Sequence, residues 1–217
     1  MAYTPRSLFR ILEDIDGHRL LLPHIQRPFV WGRDQMAKLF DSLMREYPIQ
    51  TLLFWRTKEE IRARQFMSVI DPEADLSDFY DMNRSAAGVE KVFVLDGQQR
   101  LQTLHSIFRG GCKDNGEIAE AYFDLTTGDT ETESGELLYS LQFSASPLAL
   151  PMFRIRDLAE RFAGVNAMII ADDLNDQLNA QLAEGDEQRK KRERRVRANL
   201  QQLDSILHHD KHFWVDE

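Results

Sequence analysis

The chain has 217 residues, 42% of them hydrophobic and 29% charged, and a formal net charge of −9; these values suit one globular domain, or one with an appendage, and exclude a surface coated for nucleic-acid binding though not a local basic patch. A single cysteine, Cys112, excludes an internal disulfide and any cysteine-based zinc cluster. No apolar run is long enough to span a bilayer and the N-terminus lacks a signal-peptide core, so a soluble cytoplasmic protein with no membrane contact is expected.

A first helix can start at Thr4-Pro5 or at Ser7, with Leu8, Ile11, Leu12 and Ile15 on one face and Gly17 past its end. Leu20 to Pro23 reads as a short strand. The stretch His24 to Trp31 is polar and aromatic by turns, and Pro28 biases Arg27 toward extended backbone, so Gln26 and Arg27 lie outside any helix. A helix from about Asp34 to Arg45 carries Met36, Leu39, Phe40, Leu43 and Met44 as its apolar stripe, with Pro48 ending it. Thr51 to Trp55 is the next strand. Residues 57–90 carry little periodicity and several breakers. They read as an exposed acidic connection with one short helix near Leu76 to Tyr80, acting as a lid or as a dispensable insertion.

The stretch from Val92 to Arg109 is the most informative. Val92 to Leu95 is a buried-strand pattern, Asp96-Gly97 breaks it, and Leu101, Leu104, Ile107 and Phe108 then recur at helical spacing up to Gly110-Gly111. The helix opens on Gln98, Gln99 and Arg100. Amides at a helix start lack intrahelical partners and favour anions, more so beside an arginine. The two carboxamides add donors and acceptors able to read a base, a sugar or a phosphate-bound water. Asp96 can hold a metal ion, orient Arg100 or cap the helix; equally, it caps the helix over a Gln-Gln-Arg face that is merely solvated.

Ala121 to Leu125 and Leu137 to Phe143 follow as strands joined by a hairpin-like link, Thr126 to Gly135, and Ile155 to Phe162 as a short helix. Val165 to Ala171 fits either type. From Leu174 to His208 one long helix, or two in series, is expected. Within it Arg189, Lys190, Lys191, Arg192, Arg194, Arg195 and Arg197 surround a single glutamate. Such a run is usually a solvated face; the other reading is a helix that docks on nucleic-acid phosphates. Trp31 can stack on a nucleobase or join the core, whereas Phe29 reads as core. His105 reads as a hydrogen-bonded structural histidine, His24 as a neighbour of the Gln26-Arg27 loop and Cys112 as inert. Thr103 can bind phosphate or bond its own backbone.

Two segments together carry a resemblance. Leu22 to Trp31 resembles a Pro-x-x-Gln-Arg-x-aromatic-x-Trp signature, and Asp96-Gly97-Gln98-Gln99-Arg100 matches an Asp-Gly-Gln-Gln-Arg signature. The order and spacing are similar to the N-terminal domain of GmrSD-type modification-dependent restriction endonucleases, distantly related to the ParB and sulfiredoxin fold. The resemblance implies an α+β fold, a small mixed sheet flanked by helices, with a long C-terminal helical segment. It divides the chain into a nucleotide-binding domain at 1–171, carrying the 57–90 insertion, and a charged helical extension at 172–217.

It further implies an NTP-hydrolysing regulatory domain of a bacterial anti-phage system, gating a DNA nuclease. Asp96, Gln99 and Arg100 are then catalytic, and Gln26, Arg27, Trp31, Gly97, Gln98 and Thr103 bind the nucleotide. Arg27 and Arg100 together clamp a polyphosphate, and Mg²⁺ accompanies the NTP with Asp96 as a ligand. The expected partners are a nucleoside triphosphate, DNA reached through a C-terminal or separate nuclease domain, and a second copy of the chain. Larger members carry a His-Asn-His-type metal site; His208, His209 and His212 cluster without that pattern. The competing readings are a non-catalytic DNA-binding module using the basic helix, and a ParB-like nuclease.

Overall fold

Ser7 sets the first helix. Its hydroxyl accepts the Arg10 N–H at 3.4 Å, so the later of the two possible starts is used and Thr4 lies in a strand. The computed structural model describes residues 3–49, 51–129, 137–183, 185–210 and 212–216. In chain order the first elements are β1 (Thr4–Arg6), α1 (Leu8–Asp16), β2 (Leu20–Pro23), α2 (Arg33–Met44), β3 (Leu52–Thr57), β4 (Ala63–Arg64) and β5 (Val69–Ile70). A 3-10 turn (Leu76–Phe79), β6 (Tyr80–Asp81), α3 (Met82–Ser85), β7 (Lys91–Asp96) and α4 (Gln98–Arg109) follow. The remainder is β8 (Gly111–Asp114), β9 (Glu117–Asp124), β10 (Leu141–Ser144), β11 (Met152–Arg154), α5 (Ile155–Phe162), α6 (Ala167–Gln181), α7 (Asp186–His208) and β12 (Phe213–Asp216).

The fold is α+β. A mixed seven-stranded sheet has the order β1-β12-β3-β7-β2-β4-β6, with β7 parallel to β2 and antiparallel to β3. A smaller sheet runs β10-β9-β8-β5, with β11 also on β9. One buried apolar cluster extends from Leu8 of α1 to Val215 of β12 and takes in residues of both sheets. Leu8, Ile11, Leu12 and Ile15 of α1 are each at most 3% exposed, which at about 1.5–3 kcal/mol per side chain accounts for its docking.

Several elements differ from the sequence reading. α2 ends at Met44, before Pro48, because Glu46 adopts a left-handed φ of 58°. Residues 57–90 supply β4 and β6 to the large sheet and β5 to the small one, so the segment is wired into both. Strands of two residues have too little pattern to read from sequence. Val165 to Ala171 is resolved as the start of α6, which runs through the expected boundary at 171/172. The expected extension ends in β12, which pairs with β3 in parallel and with β1 in antiparallel fashion. The second strand of the expected hairpin begins at Leu141; residues 130–136 of its link lie outside the described residues.

Gly110 ends α4 under tight constraint. A Cβ there would overlap the Ser68 carbonyl oxygen, and the Gly111 N–H donates to that same oxygen at 3.3 Å. Gly110→Ala therefore forces the 66–70 segment away from the helix and should cost about 1–3 kcal/mol of stability by chemical denaturation. A ΔΔG within experimental error of zero would show that this approach is not required.

Candidate nucleotide-phosphate site

The polar residues of α4 are not solvated. Gln98, Gln99 and Arg100 are 7%, 7% and 9% exposed, and every residue from Gln98 to Phe108 is buried. A buried carboxamide needs partners for both its N–H and its oxygen. Gln99 finds them on one extended segment: its Nε2 donates to Pro28 O at 3.0 Å, and its Oε1 accepts the Val30 N–H at 3.0 Å. Gln98 Nε2 donates to Arg27 O at 2.7 Å. In the reverse direction, Gln26 Nε2 donates to Leu95 O at 3.0 Å. The two motifs thus hold each other, and residues 26–31 are fixed across the end of β7.

Arg100 is likewise committed to the protein. Its guanidinium donates to Ile49 O, to Thr51 O at 3.2 Å and to Asp96 Oδ2 at 3.0 Å. Asp96 does not cap the helix. The N-cap is Gly97, at φ +93°, where a Cβ would collide with the Leu52 side chain, and no side chain bonds the first turn. The first intrahelical bond runs from the Leu101 N–H to Gly97 O at 2.9 Å, which leaves the amides before it without helical partners.

Gln26, Arg27, Trp31, Asp96, Gly97, Gln98, Gln99 and Arg100, with Leu95, line a cavity of about 200 Å³ at this helix start. Arg27 is exposed and lines it as a cation open to solvent, whereas Arg100 is buried and held by the protein. Of the expected two-arginine clamp, both members line the cavity, but Arg100 directs three of its five donors to Ile49, Thr51 and Asp96. Gln99, expected to be catalytic, is engaged at both ends of its amide by Pro28 and Val30. Thr103 is fully buried with no partner for its hydroxyl and lies outside the cavity, because helical rotation turns it into the core. Trp31 both packs on the core and reaches the cavity, and Phe29 packs on the core. His24 is exposed and outside the cavity. Among the described residues no group of three or more His, Cys, Asp or Glu is placed to hold a metal ion.

The sequence reading missed how far the wiring extends. Gln102 repeats the carboxamide pairing on Met67, accepting its N–H at 3.1 Å and donating to its carbonyl. The signal was present: three glutamines lie close together on a helix that also carries the apolar stripe Leu101, Leu104, Ile107 and Phe108. His105 is structural as expected, with Nε2 2.8 Å from Asp16 Oδ1 and Nδ1 3.2 Å from Met67 O. Burial pushes the Cys112 thiol above its usual range, opposed by the nearby Arg33 guanidinium, which the sequence did not place there.

The basic run of α7 is largely neutralised. Lys191 and Arg195 pair with Asp129, Arg197 with Asp172 and Arg189 with Asp186, while Arg192 is buried and donates to Asn179 at 2.7 Å. Lys190 and Arg194 are exposed. The opposite face, Val196, Leu200, Leu203 and Leu207, is in the core.

A family model described as GmrSD restriction endonuclease, N-terminal domain, matches residues 8–214. The chain belongs to this family. It is thus an N-terminal domain of a restriction, or defence, protein family, and the match runs through both sheets and α7 rather than ending after the motifs. No curated protein matches the chain. No helix of this GmrSD N-terminal domain, among the described residues, is long and apolar enough to cross a membrane.

The mutual hold of the two motifs is directly testable. In Gln99→Glu the carboxylate still accepts from Val30 but faces Pro28 O without a donor. The variant should lose about 1–3 kcal/mol of stability and show faster amide exchange at Val30. Unchanged exchange there would mean that the loop is held by something else.

Proposed function

We propose that this GmrSD N-terminal domain binds a nucleoside triphosphate, with its phosphates at the start of α4, and hydrolyses it slowly to gate a DNA nuclease carried elsewhere. The observation that supports this most is the uncapped N-terminus of α4 opening into a cavity that also holds Arg27. Free amides and the helix dipole favour an anion there, and the arginine adds charge-assisted bonds. At about 200 Å³ the cavity is smaller than a typical ligand pocket, so it suits phosphates, with the nucleoside at the mouth beside Trp31.

Mg²⁺ belongs in this reading to the incoming nucleotide. Asp96 is the one carboxylate lining the cavity; its side chain is 68% exposed and one of its oxygens is bound to Arg100, a donor set too small for a resident metal site. Such an ion would screen phosphate charge. The chain's own residues supply the amides of Gln98 to Arg100, the exposed Arg27 and a wall held by Gln99 and Arg100. The DNA-docking reading of α7 is weaker, since most of its cations already have acidic or amide partners.

Arg27 and Arg100 should separate binding from architecture. In a titration with Mg·ATP and Mg·GTP, Arg27→Ala should weaken binding by roughly tenfold or more with its melting temperature unchanged. Arg100→Ala should lower the melting temperature, because it leaves two carbonyls and Asp96 unpaired. Full affinity in Arg27→Ala would reject the proposed phosphate site.

A further inference from the structure

At the opposite end of β2 and β7 from Asp96 lies a larger cavity, of about 400 Å³, that no part of the nucleotide reading uses. Its walls bring together Arg6, Arg19, Arg56, Arg84 and Lys91, with Asp14 and Glu90 as the carboxylates. Five cations and two carboxylates therefore line one concavity of a chain whose net charge is −9. Concave walls and a low-dielectric floor concentrate such a field.

The cations are held in place rather than loose. Asp14 takes Arg19 at 2.7 Å and Arg6 at 3.5 Å, and Glu90 takes Arg56 at 2.8 Å. Arg84 Nη1 lies 3.5 Å from Glu90 O. Lys91 is the least expected member: it is 1% exposed, and its ammonium donates only to peptide carbonyls, Ala86 O at 2.8 Å and Ser85 O at 3.5 Å. Among the described residues no carboxylate pairs with it. A buried ammonium without a counter-ion is costly unless an anion completes its surroundings.

We infer that this cavity binds a compact polyphosphate anion through Arg19, Arg56, Arg84 and Lys91. The volume and the spread of the cations both point past a single tetrahedral anion, which would leave most of the space empty and reach few of these side chains. A linear di- or triphosphate meets both. No aromatic side chain is among the lining residues, so phosphate oxygens rather than a base are read. The geometry is that of a second, effector-type site, separated from the helix start by the length of β7. It does not rest on the nucleotide reading above.

Inorganic tripolyphosphate, without Mg²⁺, is the probe, titrated calorimetrically into the full chain. The variant is Arg19→Ala/Arg56→Ala; these side chains are 58% and 51% exposed, so the fold should tolerate their loss, and circular dichroism checks it. The double variant should bind at least about tenfold more weakly, while Arg27→Ala keeps the full affinity of this site. Tripolyphosphate should also slow amide exchange across residues 84–92 in the unaltered protein. ATP competing for the same Arg19/Arg56-dependent site is expected if its phosphates are the natural source. Unchanged affinity in the double variant, loss of all binding in Arg27→Ala, or no protection of residues 84–92 would each overturn the inference. So would a single-stranded oligonucleotide that binds through Arg19 and Arg56 where tripolyphosphate does not.

Discussion

The polar side of α4 is buried, and much of the rest of the structure is arranged to meet it. A glutamine carboxamide presents the same donor and acceptor as a peptide bond, so it can pair with extended backbone as a neighbouring strand would. Gln99 does this with Pro28 and Val30, and Gln102 with Met67. Gln98, Arg100, His105 and Ser106 add bonds to Arg27 O, Ile49 O, Thr51 O, Met67 O and Gly111 O. One helix thereby registers three loops and the start of β8. Any one of these bonds contributes modestly, about 0.5–1.5 kcal/mol, but a buried partner left unmet costs more.

The candidate site is a by-product of that wiring. Because the carboxamides hold residues 26–31 across the end of β7, the first amides of α4 face a lined cavity instead of bulk solvent. Because Gly97 carries no side chain, the chain can turn sharply there without striking Leu52. The motif residues therefore divide into those that build the wall, Gln99 and Arg100, and those left to meet a ligand, chiefly Arg27 and the backbone. Motif spacing identifies residues that gather at one cavity but does not separate those held by the protein from those left open.

Much of the framework was legible before any coordinates. The strand, turn and helix from Lys91 to Arg109, the stripe of α1 and the bounds of α5 follow from local pattern and capping chemistry. The gathering of the two motifs followed from resemblance, and the residues named for the nucleotide site, all but Thr103, do line one cavity. What was not legible is non-local. The strands of 57–90 exist only through pairing with β2 and β8, and β12 only through its neighbours β1 and β3. The burial of the Gln-Gln-Arg face depends on loops that arrive from 27–30 and 49–51. The cationic cavity draws on residues 6, 19, 56, 84 and 91, whose scattered positions leave no local signature.

The most direct test of the central claim is a nitrogen–proton correlation spectrum of the domain, recorded with and without a non-hydrolysable nucleoside triphosphate and Mg²⁺. The backbone amides of Gln98, Gln99 and Arg100 should move on binding, while the side-chain amide of Gln99 stays where Pro28 holds it. Movement of the Gln99 side chain with the three backbone amides unmoved would contradict the account, since the carboxamide would then be reading the ligand rather than the protein.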